Sequence, residues 1–115
     1  MQIESPIEAR MRESLDLGRV SVIADVHQEY EIGPYRVDFL LIPKHGNDKG
    51  VIIECDGDEF HSTIEALKHD YKRERYLEGL GYRVMRFTGK EIDAIWARYN
   101  VDDQSHTKQE GCLSR

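Results

Sequence analysis

Residues Tyr35 to His61 constrain this chain more than any other stretch. YRVDFLLI is a β-branched and aromatic run interrupted by Asp38. After the polar turn PKHGNDKG, the apolar run Val51–Ile53 ends abruptly in Glu54, Cys55, Asp56, Gly57 and Asp58. Short apolar runs bounded by Gly, Pro, Asn and Asp are strand signals. Both predicted strands place carboxylates where apolar side chains are expected. An ionised carboxylate in the sheet of a small core is costly unless a cation or a donor compensates it. Asp38, Glu54 and Asp56 on neighbouring strands can therefore share a hard, oxygen-preferring cation such as Mg²⁺ or Mn²⁺.

The flanking sequence supplies helices with readable ends. Ser5-Pro6-Ile7-Glu8 predicts an N-cap, a proline at the first helical position and a capping-box glutamate. That helix is expected to stop at Gly18, with Ile7, Met11 and Leu15 on one face. Val20–Val26 reads as a short strand or an extended connection. Gln28–Ile32 and Tyr35–Ile42 flank Gly33-Pro34 as a hairpin. Strict alternation puts Gln28, Tyr30 and Ile32 on one face. It likewise groups Tyr35, Val37, Phe39 and Leu41, with Asp38 opposite them. A second helix is expected from Ser62 or Thr63 to Gly79, its buried stripe marked by Ile64, Leu67 and Tyr71 and continued by Leu77 and Leu80. Tyr82–Phe87 is the fourth strand. Thr88-Gly89-Lys90-Glu91 is a second capping box, opening a helix with Ile92, Ile95, Trp96 and Tyr99 on its apolar face. The order α-β-β-β-α-β-α implies an α/β domain, a mixed central sheet flanked by helices, with a βαβ crossover from Val51 to Phe87. Residues 1–100 read as one domain, and 101–115, lacking any apolar period, as a disordered tail.

Composition narrows the setting. No apolar run approaches the ~20 residues of a membrane helix, and the N-terminus lacks the apolar segment of a signal peptide. Cys55 and Cys112 show no paired spacing. A reducing, cytoplasmic location follows, and structural zinc is disfavoured. The net charge of −6 is uneven. Lys68, Lys72, Arg73, Arg75, Arg83, Arg86 and Lys90 cluster in the second half, where a local basic face can meet a phosphate backbone or be a solvated helix surface.

Asp38, a turn, and Glu54-x-Asp56 together resemble the PD-(D/E)xK nuclease pattern. With VIIECDGDEFH, the Asp70-x-x-Arg73 helix and GYRVMRF, the chain is similar to the Vsr-related branch, the group of very-short-patch-repair endonucleases and small domains like them. The match spans Ser5 to Ile92. It implies a restriction-endonuclease-like core and a metal-dependent endonuclease acting on DNA. Asp38 would be the central metal ligand, with Glu54 and Asp56 as further ligands, directly or through water. Glu8 would reach the site from the first helix, and Gln28 matches a glutamine that precedes the hairpin. His61 matches the catalytic histidine, whose ordinary pKa of ~6.5 suits proton transfer at neutral pH. Gln28, Lys68, Lys72, Arg73 and Arg75 are the candidate nucleic-acid contacts. The lysine of the general pattern is absent, and Asp56 fills its slot as ligand, base or support for His61. The rival readings are a non-catalytic nucleic-acid-binding module and a regulatory domain on the same fold. A homodimer is compatible with so small a domain.

Overall fold

The computed structural model describes residues 4–56 and 63–100; His61, the loop leading to it and the expected C-terminal tail lie outside the described residues. Helix α1 (Pro6–Leu17) starts as its sequence dictates. Ser5 accepts from the Glu8 N–H at 3.2 Å, and Pro6 occupies the first turn, where no intrahelical N–H is needed. A 3₁₀ turn (Val20–Val22) follows in the stretch read as strand or connection. Strand β1 (Ala24–Ile32) then begins earlier than expected. It returns through Gly33-Pro34 into β2 (Tyr35–Pro43), with Ile32 opposite Tyr35. Gly33 has φ 58, which suits the first central residue of a two-residue hairpin turn, and a β-carbon there would run into the Tyr76 hydroxyl.

Strand β3 (Val51–Cys55) pairs antiparallel with β2 and parallel with β4 (Arg83–Phe87), giving the order β1-β2-β3-β4. Helix α2 (Ile64–Gly79) makes the crossover between the parallel strands. It ends where Gly81, at φ 103, donates to the Glu78 carbonyl and Tyr82 donates to the Leu77 carbonyl. This is a Schellman end, and Tyr82 packs against the apolar cluster to which Leu77 belongs. Helix α3 (Gly89–Asn100) opens with the expected reciprocal box: Glu91 N–H to the Thr88 hydroxyl at 3.2 Å, and Thr88 N–H to the Glu91 carboxylate at 2.9 Å.

The sheet separates two apolar clusters. Ile32, Val37, Leu40 and Ile52 pack with Leu77 of α2 on one face. Phe39 and Ile53 pack with Met11 of α1 and Ile92 of α3 on the other. Helices α1 and α3 are also tied together by Arg10–Asp93 and by the Trp96 indole donating to Glu13 at 2.7 Å. No described helix is long and apolar enough to cross a membrane.

Two expectations about faces are corrected. Val37 and Phe39 do not share a side, since each belongs to a different cluster, so the alternation of β2 breaks at Asp38. The register carries the same break to β1: Gln28 sits opposite Phe39 and Tyr30 opposite Val37. The second correction concerns α2. Ile64, Leu67 and Tyr71 are 71%, 55% and 64% exposed, and Leu80 is exposed as well. The inner face instead carries half-buried Ala66, Asp70, Arg73 and Glu74 with fully buried Leu77. Leu77→Ala is therefore expected to cost about 2–5 kcal/mol in urea unfolding. Tyr71→Ala, which removes an exposed ring stacked on Arg75, should stay within about 0.5 kcal/mol. Equal losses would restore the original stripe.

Candidate active site

The break at Asp38 creates the site. Opposite it in the hairpin stands Glu29, a non-glycine residue held at φ 57, and the regular pairing skips this one position. A left-handed residue inside a strand swings its side chain off the regular pleat, and such conformations concentrate at functional sites. Here the turn brings the Glu29 carboxylate toward α1. One oxygen each from Glu8, Glu29 and Asp38 lie within 4.8 Å of one another.

The environment of each group is distinct. Glu8 is only 6% exposed. Its backbone completes the Ser5 cap, but its side chain turns to the sheet, where Gln28 donates to it at 3.3 Å. Only half of the expected capping box therefore forms. Burial, then the neighbouring carboxylate of Glu29, push Glu8 up to about 7 despite the Gln28 amide. Asp38 is also raised, first by burial, although the Cys55 N–H donates to it at 2.7 Å. Gln28 donates to Glu4 as well, at 2.8 Å, and Glu4, gripped by Arg12 at 2.7 Å, is held below the usual carboxylate range. Glu8 and Asp38, both raised and crowded against Glu29, are short of positive charge. Their all-oxygen donor set fits a hard divalent cation and suits soft metals poorly.

Glu54 and Asp56 face the other way, toward α2. Arg73 donates to both Glu54 oxygens at 2.9 Å, bonds the Arg36 carbonyl at 2.9 Å and stacks over Tyr35. Burial still outweighs that partner and raises Glu54. Asp56, just past β3, is gripped by Arg86. The sequence-based site thus separates among the described residues into Glu8, Gln28 and Asp38 at the acidic cluster, and Glu54, Asp56 and Arg73 in arginine-held pairs beside it. Lys68, Lys72 and Arg75 are exposed, on the side of α2 away from the sheet. Cys55, between the two groups, is pushed up to about 12 by burial and then by Asp38. Its thiol stays protonated at neutral pH and supplies neither a nucleophile nor a thiolate ligand.

Glu29 and Arg86 are absent from the sequence-based set. Hairpin arithmetic held the signal for Glu29. With Ile32 opposite Tyr35, Glu29 falls opposite Asp38, and like charges directly across an antiparallel pair are destabilising without a counter-charge.

A family model, REase_MTES_1575, matches residues 21–102. The match takes in Gln28, Glu29, Asp38, Glu54, Asp56, Arg73 and Arg86, while Glu8 precedes it. No curated protein matches the chain significantly. The chain belongs to this restriction-endonuclease-like family.

Proposed function

We propose that this member of the restriction-endonuclease-like family is a metal-dependent DNA endonuclease of the Vsr-like branch. The observation that carries the proposal is the convergence of Glu8, Glu29 and Asp38 from α1, β1 and β2. A family fold alone does not establish chemistry. Three carboxylates crowded at a strand distortion, one of them buried and half-protonated near neutral pH, have no evident structural purpose.

Asp38, Glu8 and Glu29 would hold Mg²⁺ or Mn²⁺, with Glu54 and Asp56 acting through water. A divalent cation so held supplies Lewis-acid polarisation of the scissile phosphate and a hydroxide at neutral pH. The Cys55 N–H fixes the Asp38 carboxylate through one of its oxygens. Gln28 orients Glu8. Arg73 holds Glu54 in place and favours its ionised form against the burial that opposes it. Proton transfer falls to His61, on the strength of the Vsr resemblance. Lys68, Lys72 and Arg75 would serve as non-specific phosphate contacts if duplex reaches the outer side of α2.

Conversion of supercoiled plasmid by the purified protein tests the proposal. Nicking or linearisation with Mg²⁺ or Mn²⁺ that stops in EDTA is the expected result. Absence of cleavage with every divalent ion, alongside salt-dependent retention of duplex, would replace it with the binding-module reading.

A further inference from the structure

We propose that Arg86 is a positioning residue of this site, gripping both oxygens of Asp56 from β4 while two α2 carboxylates fix its guanidinium from behind. The inference rests on the endonuclease reading for its effect on rate, and on geometry alone for the grip.

Parallel register places Arg86 opposite Glu54, its nearest carboxylate along the strands. The side chain nevertheless passes Glu54, which Arg73 already holds, and reaches Asp56 with Nε at 3.0 Å and Nη2 at 3.1 Å. The same Nη2 donates to Asp70 at 3.3 Å, and Nη1 donates to Glu74 at 3.3 Å. Asp70 and Glu74 are four residues apart on the inner face of α2, so both approach the guanidinium from below the sheet end. All three nitrogens of the planar fork are thereby directed at carboxylates. The backbone adds a second tie, since the Asp56 N–H donates to the Phe87 carbonyl at 2.8 Å and extends the β3–β4 ladder by one residue.

Stability does not account for such an arrangement. Partly exposed ion pairs contribute about 0–1 kcal/mol each, and one cation among three carboxylates leaves a local excess of negative charge. What the network does provide is direction. A bidentate fork allows one carboxylate orientation where a lysine would allow many. Asp56 occupies the slot of the missing pattern lysine, and its direction is set from β4 and α2. With each Arg86 nitrogen already turned to a carboxylate, Arg86 acts through Asp56.

The test uses the full chain carrying Arg86→Lys, Asp56→Ala or both. Plasmid nicking under saturating Mg²⁺ is expected to fall about 10- to 100-fold in each single variant, the range for residues that orient a metal site. KM for plasmid should be unchanged, and the double variant should lose nothing more. Arg86→Lys retains the charge, so a purely electrostatic or folding role would be rescued by it; wild-type rate in that variant overturns the proposal, as does an additive loss in the double variant. A second measurement is independent of turnover. Nε bonds Asp56 and neither α2 carboxylate, so the Arg86 Nε–H resonance should exchange slowly in wild type and rapidly in Asp56→Ala. If the wild type cleaves nothing, the endonuclease reading fails while this resonance still decides the grip: identical exchange in both proteins overturns it.

Discussion

Asp38→Asn is expected to silence cleavage by about 10³-fold, corresponding to ~4 kcal/mol of lost transition-state stabilisation, while leaving the fold intact. The two effects separate because Asp38 has two duties. Its first is structural, accepting the Cys55 N–H at 2.7 Å, and an asparagine oxygen can continue to do that. Its second is to bring negative charge to Glu8 and Glu29. Without a cation that charge is a liability: burial foremost, and Glu29 among its neighbours, raise the Asp38 pKa. A carboxylate whose folded pKa is raised costs stability once the pH exceeds its ordinary value of 3.8. The asparagine variant should thus be as stable as wild type or more so at pH 8 without metal. It should also gain less from added Mg²⁺, since a ligand stabilises the folded state more the more tightly it binds there. Thermal unfolding with and without Mg²⁺, run beside the plasmid assay, reads both. Unimpaired cleavage would remove Asp38 from the site. Lost cleavage in an unfolded variant would reduce it to a structural residue.

Local chemistry made much of this architecture legible. Ser5 with Pro6, Thr88 with Glu91, and the Gly33-Pro34 turn act within a few residues, and each does what its sequence requires. The strand order follows from a short antiparallel return and one long crossover. The faces were harder. Ile64, Leu67 and Tyr71 have the spacing of a buried stripe, yet the sheet under α2 presents Glu54 and the Asp56–Arg86 pair. Those charges need partners, so Asp70, Arg73 and Glu74 turn inward and the apolar stripe is left outside. Periodicity identifies a face but not what lies beneath it. The site was legible by residue type and less so by grouping. Asp38, Glu54 and Asp56 alternate along adjacent strands as if to meet, but the reversal of side-chain direction at Asp38 and Glu29 turns Asp38 toward Glu8. Strict period-two reading has no place for that reversal. Arg86, inside an ordinary strand motif, gains significance only when α2 brings two more carboxylates to it.

Glu8 supplies a large pH effect between acid and neutral pH. Its carboxyl moves from 4.5 to about 7 on folding, first through burial and then through Glu29. Below pH 4.5 the group is protonated in both folded and unfolded chains and costs nothing. As pH rises from 4.5 to 7 the folded chain retains a proton that the unfolded chain has released, so stability falls across that window and levels off above it. The loss is up to about 3 kcal/mol, from ~1.4 kcal/mol per pKa unit. Glu8→Gln mimics the protonated form: its amide can accept from Gln28 and donate to Glu29. Metal-free wild type and variant should therefore unfold at similar urea concentrations near pH 4.5 and diverge as pH rises to 8, the variant being the more stable. Mn²⁺ should close that gap at pH 8, because a cation among Glu8, Glu29 and Asp38 does for the ionised cluster what the proton does at lower pH. Parallel stability curves across the whole range would mean that Glu8 titrates as an ordinary surface carboxylate. Divergence that Mn²⁺ leaves untouched would mean that the cluster is crowded but binds no cation, and the metal-dependent reading would have to find its ligands at Glu54 and Asp56.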